Sequence, residues 1–198
     1  MEGHELAAGY KTDSGELFTI PLDRVSCFMI SGRKKSGKTG LINIIRESAA
    51  FSGYKCVTVA KPGELIEKLK QKEKRIILIE RPAALIGELY RSEGKNSEEE
   101  ILGMIRSNRA TCLHNIFLEI SREDFNLMTG RGIFEALREE AYGIHLGGMI
   151  NEQMVFEFSE LSFSQKNISK RAGEGDVPYV SDELYFGGVK LPLWEKKS

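Results

Sequence analysis

The residues with the clearest chemical content form one run, Ser31-Gly32-Arg33-Lys34-Lys35-Ser36-Gly37-Lys38-Thr39-Gly40. Gly32-x-x-x-x-Gly37-Lys38-Thr39 matches the Walker A pattern, whose glycines let the chain fold around an anion with backbone N–H groups pointing inward. Lys38 is spaced to reach the β- and γ-phosphates of a nucleotide, and the Thr39 hydroxyl to coordinate Mg²⁺. A helix beginning near Lys38 would add the positive end of its dipole. Arg33, Ser36 and Gly40 complete the candidate nucleotide-binding stretch, for which ATP with Mg²⁺ is the expected ligand. Lys34 and Lys35 add charge at variable positions and suit a solvated surface equally well.

A nucleotidase of this type also needs an acid at the end of a neighbouring apolar strand, to support Mg²⁺, and often a second beside it to activate water. The candidate is Arg75-Ile-Ile-Leu-Ile-Glu80-Arg81-Pro82. Glu80 stands where the metal-supporting acid belongs, and a surface-facing strand end explains it as well. Arg81 follows, and arginine cannot take a proton from water. Loss of a positioned general base removes about 10²–10⁴-fold in rate. No residue is therefore assigned a catalytic role; Glu80 is a degenerate Walker B candidate, and Glu119 can stand in only if its strand lies beside the loop.

These residues need strands and helices to position them. Residues 16–22 and 24–31 read as two short strands broken at Asp23, the second a continuous apolar run, as for a strand covered on both faces. Residues 40–51 place Leu41, Ile44, Ile45 and Ser48 on one helical face, ended by Gly53. Strands follow at 55–60, 75–80, 114–120 and 143–150, and helices at 63–71, 100–110 and 132–142. The polar Ser92–Glu100 stretch reads as a surface loop, with Ser97 and Glu100 at capping-box spacing. Residues 177–194 alternate like an edge β-hairpin turning at Gly187-Gly188, with Trp194 closing the sheet. Strands separated by helices predict a single α/β domain over residues 1–198, its mainly parallel sheet lying between helices.

At 198 residues, 41% hydrophobic and 29% charged, the chain suits one ordinary globular domain. Its formal net charge of −1 gives no field to steer nucleic acid or an anionic membrane. No apolar run approaches the roughly 18 residues needed to span a bilayer. Cys27, Cys56 and Cys112 stand far apart, and His4, His114 and His145 show no ligand spacing. A reducing compartment suits this cysteine usage. Phe156, Phe158 and Phe163 read as core packing ahead of a peptide groove.

With these segments in place, the chain resembles the FtsK/SpoIIIE family of hexamer-forming ATPases, and within it the C-terminal ATPase domains of type VII secretion proteins. Residues 9–40 resemble the family's lead strand, core strand and Walker A loop. Residues 75–80 fall at its Walker B strand, and 106–121 resemble its next helix, Arg-Ala turn and strand. Gly173-Glu174-Gly175-Asp176 is similar to a late Gly-x-Gly-Asp turn. Active members end Walker B in Asp-Glu, where this chain has Glu80-Arg81, and carry Thr-Gln where it has Glu119-Ile120. The resemblance implies a RecA-like P-loop fold. It further implies a cytoplasmic module, excised from a longer membrane-anchored, multi-domain translocase, whose partners are secreted protein substrates, the translocase's other domains and other copies in an oligomer.

Two other functions fit parts of the sequence. One is a working translocase ATPase completed in an oligomer, with Arg106, Arg109 or Arg131 as a finger. The other is a small P-loop phosphotransferase, with Arg131 on a lid. A GTPase is disfavoured, because the chain has neither N-K-x-D nor D-x-x-G.

Overall fold

A strand whose residues alternate between two apolar surroundings must be covered on both sides, and Cys27–Gly32 is such a strand. Cys27 and Met29 enter one core and Phe28 and Ile30 the other, all buried. The fold around it is a computed structural model describing residues 4–92, 94–139 and 141–192. The chain runs β1 (Glu5–Lys11), β2 (Leu17–Pro21), β3 (Cys27–Gly32), α1 (Lys38–Phe51), β4 (Lys55–Thr58), α2 (Pro62–Leu69), β5 (Arg75–Ile79), α3 (Pro82–Ser92) and α4 (Gly94–Thr111). It continues through β6 (His114–Ile120), α5 (Arg122–Met128), α6 (Gly132–Arg138), β7 (Tyr142–Gly148), α7 (Phe163–Lys166), β8 (Lys170–Val177) and β9 (Gly187–Lys190).

The strands form one sheet in the order β2-β1-β9-β8-β7-β3-β6-β5-β4. From β7 to β4 the pairings are parallel, and from β7 to β2 they are antiparallel. The fold is thus a mixed α/β sheet whose parallel part carries the glycine-rich loop. Helix α1 covers one face, packing Leu41, Ile42, Ile45 and Ala49 against Phe28, Ile30, Phe117 and Ile144. Helices α2 to α6 cover the other, over Met29, Ile77, Ile79 and Leu118. Ser48, which the sequence puts on the apolar face of α1, is reconciled with it by accepting a 2.9 Å bond from the Ala7 amide of β1.

Several elements differ from the sequence reading. Residues 94–99 are helical although Gly94, Asn96 and Ser97 have low helix propensity, because α4 begins at Gly94 and continues into the stronger helix formers Glu98 to Leu102; Ser97 thus lies inside the helix and not at its cap. Helix α3 has no counterpart in the sequence reading; Pro82 opens it at the first helical position, with the Arg81 carbonyl accepting from the Leu85 amide. Helix α5 is a second addition, and Ser121 and Asp124 cap it reciprocally. The hairpin expected over residues 177–194 does not form: β9 pairs instead with β8, residues 178–186 connect the two, and β1 pairs outside β9, so β2 is the edge. Gly187 and Gly188 open β9 rather than turn the chain, and the expected Gly-x-Gly-Asp turn lies within β8, which Gly173 kinks at φ 81°. Trp194 lies outside the described residues.

Buried polar groups tie the strand ends together. Asn115 donates to the Leu22 and Val25 carbonyls, and Asn108 bonds both backbone groups of His114. At the foot of the glycine-rich loop, the Ser31 hydroxyl meets His145 Nδ1 at 2.9 Å. Burial pushes the His145 pKa from an ordinary 6.5 down to about 4; Lys38 and Lys170 push the same way and Glu152 opposes them. The folded protein thus binds this proton less tightly than the unfolded chain does. That stability is complete above pH 6.5 and is lost as pH falls through about 4. The contribution is on the order of 3 kcal/mol. Denaturant titrations at stepped pH should give a slope between pH 6.5 and about 4 that flattens in His145→Gln.

Candidate functional site

The loop leaves β3 between β6 and β7, where parallel strands lead in opposite directions across the sheet. Ligands of open α/β sheets gather at such a crevice outside the strand ends. Gly32 turns the chain at φ 151°, and a Cβ there would run into the Leu146 carbonyl and the Ser36 hydroxyl. Gly37 starts α1 at φ 108°. Between them Lys35 is held at φ 64°, a left-handed conformation costly for a lysine and typical of ligand-binding loops.

Helix α1 begins with no side-chain cap and no acidic residue in its first turn. Its leading amides are thus available to an anion. The buried Ser36 hydroxyl has no hydrogen-bond partner among the described residues. Lys38, nearly fully buried, donates to the Gly32 and Arg33 carbonyls at 2.9 and 3.1 Å, so its ammonium sits inside the loop. Arg33, Lys34, Lys35 and Thr39 are exposed around it, with Gly40 on the first turn of α1. An uncapped helix, an orphaned hydroxyl and one interior cation fit a nucleotide polyphosphate.

The two candidate acids sit differently. Glu80, just past β5 and two strands from β3, is partly exposed and is gripped by Arg46 of α1, which also donates to Thr58 Oγ1 at 3.0 Å and Asn43 Oδ1 at 3.3 Å. Glu119 lies on β6 directly beside β3, in register with Ile30, and its carboxylate stands 4.0 Å from Lys38 Nζ. Burial pushes the Lys38 pKa down, with Glu119 and then Asp124 opposing. Burial pushes the Glu119 pKa up; Lys38 opposes this, and Glu80 and Asp124 add to it. Of the two acids, Glu119 is the one that shares the interior of the site with the loop lysine. Its placement depends on strand order, which no local sequence signal carries.

Gly173 of β8, absent from the sequence-derived site, also belongs to the loop's surroundings. Its amide donates to the Ser36 carbonyl at 2.8 Å and its backbone packs against Gly37. A cavity of about 160 Å³ opens beside the loop between Arg33, Ser121, Phe125, His145 and Val155. The arginines considered as fingers are partly committed: Arg109 pairs with Glu139 at 3.0 Å, and the Arg131 guanidinium lies over the Tyr90 ring at 4.7 Å. Arg106 is exposed. Among the described residues, no group of His, Cys, Asp and Glu has metal-holding geometry, and no helix is long and apolar enough to cross a membrane. Substituting Gly32→Ala should distort the loop and destabilise the protein by on the order of 2 kcal/mol. Thermal unfolding of the variant beside the parent checks this.

No protein-family model and no curated protein matches the chain. Solved structures do. ATPases 2 and 3 of EssC from Geobacillus thermodenitrificans align with a TM-score of 0.72 at 12% identity, covering 96% of this chain and 41% of that one. ATPases 2 and 3 of Thermomonospora curvata EccC, in complex with a signal sequence peptide, align at 0.68 and 10% identity, covering 98% and 41%. The pCW3 conjugation coupling protein TcpA, in its monomer form with ATPγS, aligns at 0.63 and 17% identity, covering 96% and 66%. The chain thus spans less than half the length of the EssC and EccC chains it matches. At these identities the likeness is one of architecture: the chain has the fold of the EssC and EccC ATPase domains, as its resemblance to the FtsK/SpoIIIE family implied.

Proposed function

We propose that this chain is a nucleotide-binding, ATPase-like module of a type VII secretion translocase, with weak or absent hydrolysis, acting in substrate recognition or regulation of export. One observation carries the reading: the phosphate loop has an interior lysine and an uncapped helix, whereas the Walker B candidate Glu80 is bound to Arg46. Gly32 to Gly40 would hold ATP, with Lys38 on its terminal phosphates and the Thr39 hydroxyl on Mg²⁺. The metal, when bound, would draw charge from the phosphates; the chain itself supplies the amides and the ammonium that orient them. Arg81, next to Glu80, cannot accept a proton from water.

The EccC structure with a signal sequence peptide supports recognition of secreted proteins as the module's task. Exposed aromatic side chains are what such contacts would use. Phe163 is 81% exposed, and Tyr179 and Phe186 form an exposed edge-to-face pair with ring centroids 5.4 Å apart. Phe158, by contrast, is buried and Phe156 packs against the larger core, consistent with the core role read from sequence; Phe163, read the same way, stands in solvent instead. The module would work in the cytoplasm as part of a longer membrane-anchored protein, beside that protein's other domains.

A second reading is a working motor completed in an oligomer. The position of Glu119 beside Lys38 favours it, because it supplies an interior acid where Glu80 does not. The phosphotransferase reading gains nothing from Arg131, which stacks on Tyr90.

Calorimetry with ATP and Mg²⁺ should show binding that weakens at least about tenfold in Lys38→Ala, the loss of a charge-assisted contact. Equal affinity in the two proteins would remove the basis of the proposal. Phosphate release by the purified protein should stay below roughly 1 s⁻¹, the low end of ordinary enzyme turnover. Brisk turnover that rises with protein concentration would establish the motor reading instead.

A further inference from the structure

The phosphate loop has one buried cation and, facing it, a carboxylate. Because β6 runs parallel to β3 with Glu119 opposite Ile30, the Glu119 side chain rises at the same end of the sheet as the loop. It stops 4.0 Å from Lys38 Nζ with its side chain only 22% exposed, where water screens it poorly. Three acids bear on this corner, and they are engaged differently. Glu80 at the end of β5 is gripped by Arg46, and Asp124 of α5 accepts from the Ser121 amide and hydroxyl. Glu119 faces the lysine itself.

A polyphosphate drawn to Lys38 would therefore meet a second anion already beside the cation. A nucleotide without metal brings several negative charges against that carboxylate. A nucleotide carrying a divalent cation brings the charge that cancels it. We infer that Glu119 makes the phosphate seat selective for the metal-bound nucleotide by repelling the metal-free form. This rests on the nucleotide-binding reading above and adds to it a residue that decides which ionic form of the ligand is accepted. The device is electrostatic and needs no chemistry at the phosphate, so a module that hardly hydrolyses ATP can still use it.

The test is a binding measurement on the intact 198-residue chain. Wild type, Glu119→Gln and Glu80→Gln are titrated with ATP by calorimetry, once in excess Mg²⁺ and once in EDTA. Wild type should bind at least about tenfold more tightly with Mg²⁺ than without, and Glu119→Gln should narrow that gap by gaining about tenfold in EDTA. Thermal unfolding confirms that the variant is folded, and Glu119→Ala gives the same loss of charge if glutamine does not fit. A wild type indifferent to the metal overturns the inference, and so does a Glu119→Gln protein whose EDTA affinity is unchanged. Glu80→Gln erasing the gap in place of Glu119→Gln would overturn the assignment in favour of Glu80. Wild type binding ATP under neither condition would sink the nucleotide-binding reading itself, which separates that failure from this one.

Discussion

The pairing of β3 between β6 and β7 is the constraint on which the molecule depends. It buries β3 on both faces and fixes where the chain emerges as the glycine-rich loop. Covering both faces requires a helix layer on each side, and the two cores supply them: α1 alone on one, α2 to α6 on the other. The same pairing brings Ser31 against His145 and Glu119 against Lys38. A loop of identical sequence on an edge strand would keep at most one of these neighbours.

Charge at the site is arranged by burial more than by number. Arg33, Lys34 and Lys35 lie in water, where salt screens them, and contribute a diffuse attraction. Lys38 and Glu119 are both withdrawn from water, so each responds strongly to whatever charge joins them. Glu80 sits in the opposite regime, half in solvent and satisfied by Arg46. The acid expected at the metal is thus the one already neutralised, and the acid with unsettled charge is the one that sequence spacing ranks lower.

The legible and illegible parts divide along a physical line. The stretch His114–Ile120 reads as β6 to the residue, because Ile116, Phe117 and Leu118 enter the cores on both faces of the sheet and leave a continuous apolar centre. The phosphate loop reads as well, because its glycines and lysine are spaced by local geometry. β1 is obscure: Glu-Leu-Ala-Ala-Gly-Tyr-Lys is rich in small residues, and a register shift between Ala7 and Gly9 breaks its alternation. α3 and α5 do carry local signals, Pro82 at the first helical position and the Ser121–Asp124 box. The company that Glu119, Gly173 and Arg46 keep is out of reach of any local pattern, since each contact joins segments far apart in the chain and depends on strand order.

Gly173 connects the two halves of the sheet in a way that bears on how the molecule moves. Its amide holds the Ser36 carbonyl at 2.8 Å, and its own carbonyl accepts from the Leu191 amide at 2.7 Å. Two consecutive main-chain bonds thus run from just past the final strand to the crown of the phosphate loop, with no side chain as intermediary. A ligand that reshapes the loop must therefore tug on the antiparallel wing, and a body leaning on that wing pushes back on the loop along the same two bonds.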